Sequence, residues 1–173
     1  MPSRPPARTI RLIDFTATTF LGDGLRFNNP YRLATVLGSS AQSVSRTASS
    51  FDLGGAVSFG DPARFTQGVA VRVSIALEGT PQSVLTPSYM LLRRFGGWGA
   101  YGRAGVPVVL SPDTTWGFEA AAGGIRFLRA GIGIACEMVG DVFYGAGTRE
   151  VATPAYPVLS AQLGLWLSWE AMP

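Results

Sequence analysis

Three acidic residues, Glu119, Glu137 and Asp141, and two arginines, Arg72 and Arg103, are the residues of this 173-residue chain whose types and spacing could do chemistry. Each falls on the small-residue side of a segment in which apolar residues alternate with small or polar ones. Two carboxylates held a few ångströms apart can act as acid and base on a glycosidic bond. Carboxylates interleaved with guanidinium groups can instead neutralise one another as a salt-bridge network. The chain contains no histidine, so neither a Ser-His-Asp nor a Cys-His arrangement can be built. Zinc loses its commonest nitrogen ligand, and the one cysteine, Cys136, cannot replace it. Neither Gly96-Gly97-Trp98-Gly99 nor Gly123-Gly124 leads into a Lys-Ser/Thr pair or a helical segment, so both are expected to be turns and kinks rather than phosphate loops. No catalytic residue, metal site or cofactor is expected.

The elements that would carry these side chains are strands. Val69, Val71, Val73, Ile75 and Leu77 alternate with Ala70, Arg72, Ser74, Ala76 and Glu78, a strong strand signal over ten residues. Phe51–Gly60, Trp98–Leu110 and Gly131–Tyr144 repeat the pattern. Weaker forms run over Arg8–Phe20, Val84–Arg94, Thr115–Phe127 and Tyr156–Trp169, which makes eight. Twenty-two glycines and twelve prolines without a period fit many strands and turns. Hydrophobic residues are 47% of the chain and charged residues 14%, where ordinary soluble domains carry about 25% charged. Yet no run of ~18 apolar residues exists, which excludes a membrane-spanning helix. Strands with one lipid face and one inner face reconcile the two observations. The expected fold is all-β: a single antiparallel up-and-down transmembrane β-barrel of about eight strands over residues 1–173.

The connections after the second, fourth and sixth segments are short, and residues 21–50 form the one long loop. Residues 1–7 are expected to be a disordered or periplasmic tail. A soluble, lipocalin-like barrel binding an apolar ligand has one apolar face per strand as well, but its other face meets water and should be rich in Lys, Glu, Thr and Asp. Here that face is mostly Ala, Gly and Ser with single charges, which suits the cramped interior of an eight-stranded barrel. Arg72 and Arg103 are expected to close that interior by pairing with Glu119, Glu137 and Asp141. Such a filled interior leaves no cleft for a sugar chain. Trp98, Trp116, Trp166, Trp169, Tyr89 and Tyr144 fall near expected strand ends, where aromatic girdles anchor barrels. Arg64, Arg93, Arg94, Arg126 and Arg129 sit at expected short turns, in reach of anionic headgroups.

The segment Gln162-Leu163-Gly164-Leu165-Trp166-Leu167-Ser168-Trp169 resembles the C-terminal insertion signal of outer-membrane barrels, with Gln162, Gly164, Leu167 and Trp169 at its marked positions. It departs from the usual form by continuing through Glu170-Ala171-Met172-Pro173. As a whole the chain resembles the small eight-stranded bacterial outer-membrane barrels as a class, and no nearer family. That resemblance implies a bacterial outer-membrane location and outer-membrane lipid as partner. The enzymes of that architecture (lipid A deacylases, palmitoyltransferases and omptin proteases) rely on a histidine, which this chain lacks. Met1–Pro6 has no apolar core of a secretory signal, so the chain is expected to be the mature form behind an added start Met.

All 14 basic residues are arginine, the net charge is +3, and no basic cluster with interleaved aromatics appears, so nucleic-acid binding is not expected. Three functions remain. The first is a non-enzymatic structural, surface-interaction or accessory barrel that meets a protein partner through loop 21–50. The second is a narrow channel or transporter for small solutes. The third is the soluble barrel already named.

Overall fold

The computed structural model describes residues 12–27, 45–61, 64–79, 81–111, 114–129, 131–144 and 155–171. Ten segments appear: β1 (Leu12–Arg26), β2 (Ser45–Arg46), β3 (Ser50–Gly60), β4 (Thr66–Ala76), β5 (Ser83–Phe95), β6 (Trp98–Gly105), β7 (Val108–Ser111), β8 (Thr115–Arg129), β9 (Ile132–Tyr144) and β10 (Ala155–Ala171). They make eight staves, because β6 and β7 are two parts of one and β2 is a two-residue addition beside the end of β1. All pairings are antiparallel, and β10 pairs β1 from Ile13↔Ala171 to Arg26↔Val158, so the sheet closes on itself. Closure satisfies every edge, the condition for crossing lipid with strands. No helix occurs among the described residues.

The alternation sorts side chains between outside and inside. Val69, Val71, Val73, Ile75 and Leu77 are all exposed, whereas Arg72 between them is 7% exposed. Across the described residues 33 large apolar side chains are exposed and only 12 apolar residues are buried, while 14 polar or charged residues lie buried. That is the reverse of a water-soluble domain and of a lipocalin, whose apolar face points inward.

Two strand boundaries differ from expectation. The segment Trp98–Leu110 is interrupted at Val106-Pro107, because proline has no N–H to give the ladder. Pro107 turns inward there, and its carbonyl still accepts from Gly117 N–H at 2.9 Å. The first strand is described from Leu12, its expected start at Arg8 lying outside the described residues, and it runs on to Arg26, through Leu21-Gly22-Asp23-Gly24, which has the composition of a loop. Gly22 is there for room: a Cβ on it would lie 2.7 Å from Gln162 Cγ. With Ser45–Arg46 paired to Leu25–Arg26, the long connection begins after Phe27 rather than at Leu21, and residues 28–44 lie outside the described residues, as do residues 1–7.

Candidate functional site

The site is the charged layer inside the barrel. Inward parity brings Arg72 from β4, Arg103 from β6, Glu119 from β8 and Glu137 from β9 to one level, all 9% exposed or less. Arg103 grips Glu137 with two prongs, Nε to Oε2 at 3.1 Å and Nη2 to Oε1 at 2.5 Å, and its Nη1 lies 3.0 Å from Glu119 Oε1. Arg72 donates to Glu119 through Nη2 and reaches Glu137 Oε1 at 3.4 Å through Nη1. The four groups therefore form a closed ring of alternating charge, Arg72–Glu119–Arg103–Glu137. In strand order β4 and β9 stand on opposite sides of the eight-stave wall, so Arg72 spans the lumen. Guanidinium is suited to this because its planar fork serves several carboxylates at once. Burying any one of these ions alone would cost several kcal/mol, so their pairing is a condition for the fold.

Two further groups join the ring. Asp52 on β3 accepts from Arg72 Nη1 at 3.0 Å, and Gln162 on β10 accepts from Arg72 at 3.2 Å while donating to Asp52 at 2.7 Å. Asp52 was not among the expected network residues, although it shares the inward parity of Ala56 and Ser58. Asp141 stands directly across from Glu119 in the ladder, but no arginine lies within ion-pair distance of it among the described residues. The expected pairing of Asp141 with arginine is therefore corrected: its neighbour is Glu119, because register places Asp141 opposite that residue on the adjoining strand, one step from the arginines.

Below the ring, toward the short turns, lies an apolar layer of Phe20, Met90, Leu92, Tyr101, Ile125, Ala135 and Trp166. Trp166 is 1% exposed and packs on Tyr101 with ring centroids 4.9 Å apart, so it belongs to the lumen and not to an aromatic girdle. Its parity matches that of inward Gln162, Gly164 and Ser168. Trp98, Trp116, Trp169 and Tyr144 are exposed near strand ends. Tyr89 is exposed too but sits at the middle of β5, where its hydroxyl donates to Gln67 at 2.6 Å, so it is not a girdle residue either. At the short-turn mouth Arg94 points inward, not to the headgroup side: it reaches Asp14 and Glu170 at 2.5 Å each and Ser168 at 3.0 Å.

The cavities follow these layers. One of about 120 Å3 lies on the long-connection side and is floored by Arg72, Glu119 and Asp141. Another of about 30 Å3 lies beyond the ring against Phe20 and Trp166. Arg72 borders both, standing between them.

The four residues of the tail motif have distinct surroundings. Gln162 is buried in the ring, and Leu167 and Trp169 face outward. Gly164 lies where β10 approaches β1 so closely that a Cβ would stand 1.8 Å from the Thr19 carbonyl oxygen.

No family model matches the chain, and no curated protein sequence matches it. Among solved structures, the chain is similar to Neisserial surface protein A, at 10% identity and a TM-score of 0.52, over 89% of this chain and 96% of that one. The N-terminal β-barrel domain of Pseudomonas aeruginosa OprF is 12% identical over 88% of this chain and 97% of its own, with a TM-score of 0.46. The outer membrane protein OprG from Pseudomonas aeruginosa is 13% identical over 94% and 97%, with a TM-score of 0.42. At these identities the likeness is one of fold, that of the small eight-stranded outer-membrane barrels.

Proposed function

We propose that this chain is a bacterial outer-membrane barrel that works as a closed, non-enzymatic scaffold, presenting its long connection to a partner at the cell surface. The observation that carries this reading is the charge ring, which crosses the lumen from β4 to β9 and leaves cavities on either side of Arg72. A channel for small solutes would instead need a wet, continuous track. Catalysis would need a substrate cleft at the carboxylates, and each ring carboxylate is already engaged by arginine. The apolar outer face supports a lipid environment, and the short turns at the end bearing Leu12 and Ala171 support the periplasmic side for that end. Gln162, Gly164, Leu167 and Trp169 act in insertion, because the last stave must pair with β1 to remove both open edges.

The test is expression behind a secretory signal followed by membrane fractionation. The reading predicts recovery with the outer membrane, resistance to carbonate wash and a heat-modifiable gel mobility. Recovery as a soluble periplasmic protein would overturn it. Truncation before Gly164 is expected to abolish insertion, and replacement of residues 28–44 by a short Gly-Ser linker to leave it intact.

A further inference from the structure

The outer surface carries charge unevenly at its two ends. At the long-connection end Arg46 is neutralised, with Nε 2.7 Å from Asp23 Oδ2 and a guanidinium nitrogen 3.7 Å from Glu78. At the short-turn end the described residues include Arg64, Arg93, Arg94, Arg126 and Arg129 against Asp14, Asp61 and Glu170, and Arg94 is turned inward to two of those acids. Arg93 and Arg126 are exposed on the outer face, one residue out of phase with inward Leu92 and Ile125, and neither makes an ion pair among the described residues. Each lies over an aromatic ring instead, Arg93 at 5.3 Å from the centre of Phe65 and Arg126 at 4.8 Å from that of Trp98.

Register sets the arrangement of this patch. Phe95, Trp98 and Arg126 form one outward row across β5, β6 and β8, and Arg93 lies two residues along β5 on the same face. In strand order Arg93 and Arg126 thus stand on either side of an exposed indole, Arg93 leaning to Phe65 and Arg126 to Trp98 itself, on a wall that includes Leu91, Phe95 and Leu128. Hydrocarbon cannot solvate a guanidinium, whereas the membrane interface can, and aromatic residues mark that interface. Arginine presents a fork of several N–H groups matched to phosphate oxygens, of which Arg126 commits one, on Nη1, to the Gly97 carbonyl at 3.5 Å.

We propose that Arg93 and Arg126, with Trp98 between them, form a binding site for the phosphate of an anionic phospholipid in the leaflet at the short-turn end. This rests on the membrane reading above. The site fixes the depth of the barrel on that side, and its specificity is for net negative headgroups, because its outward residues Arg93, Phe95, Trp98 and Arg126 include no carboxylate to hold the ammonium of a zwitterionic one.

The experiment is native mass spectrometry of the full chain refolded into detergent micelles, with phosphatidylglycerol or phosphatidylcholine added as probe. Phosphatidylglycerol should be retained where phosphatidylcholine is not. Affinity should fall roughly 5-fold for Arg93→Gln or Arg126→Gln and about 30-fold for the double variant. Arg46→Gln, at the opposite rim, should bind as the unmodified chain does. Heat-modifiable mobility is checked first for each variant. Equal binding of the two lipids, or full retention by a folded double variant, would overturn the site while leaving the membrane reading intact. Displacement of the lipid by inorganic phosphate would also overturn it, reducing the patch to an adventitious ion only. Failure of the unmodified chain to enter micelles or vesicles would sink both.

Discussion

The ring of Arg72, Glu119, Arg103 and Glu137 and the mouth cluster of Arg94, Asp14 and Glu170 are built from the same side-chain types on the same inner face. They differ in access to water. Every member of the ring has a side chain no more than 8% exposed; in the mouth cluster Asp14 is equally buried, at 4%, but the Arg94 that serves it is 21% exposed and Glu170 49%. Where water is excluded, each charge depends wholly on its partners. Where water enters, it substitutes for a lost partner and the pair contributes less. The ring should therefore hold the barrel together, and the mouth cluster should mainly shape one opening.

Arg103→Ala should show this most strongly. It leaves Glu119 and Glu137 sharing Arg72, and urea unfolding from vesicles should show a loss of roughly 3–5 kcal/mol. The double change Arg103→Leu with Glu137→Leu should lose less than Arg103→Ala alone, because it removes one charge of each sign and leaves Glu119 its pairing with Arg72. A double variant worse than the single one would mean the ring serves some purpose other than charge pairing. Arg94→Ala should cost roughly 1–2 kcal/mol in the same assay, the scale of charge-assisted hydrogen bonds partly open to water. A loss equal to that of Arg103→Ala would erase the distinction between the two layers.

The smallest effects belong to the exposed rim. Arg46→Ala should leave the unfolding midpoint unchanged, since Arg46 and its acids are solvated. In the turn after β4, Glu78 accepts from the backbone N–H and the hydroxyl of Ser49, at 3.1 Å each, and these bonds hold its carboxyl below the usual glutamate range. A depressed folded value means that its contribution is present above the unfolded pKa and is lost as pH falls through the folded one. An NMR titration should find Glu78 with a midpoint lower than in an unfolded peptide, and an equal midpoint would contradict the contacts.

Much of this was legible because strand parity is local. Val69 to Leu77 declares its own faces, and Arg103 opposite Ala121 follows from counting outward from the pairing of Val108 with Trp116. Parity also held the answers for Trp166 and Asp52, where aromatic type and a marked-motif reading drew attention away from the face. What parity cannot supply is reach across the lumen: that Arg72 meets Glu137, 65 positions away, depends on barrel closure and stagger. Equally, the extension of β1 past Leu21 was hidden by glycines that look like turn formers but serve close strand approach.

Single-channel recording of the refolded barrel in a planar bilayer tests the closed lumen most directly. The ring account predicts silence from the unmodified protein, and leak currents from Arg103→Ala in molecules that still migrate as folded. Steady, resolved conductance from the unmodified protein would contradict a lumen sealed by Arg72 and Arg103.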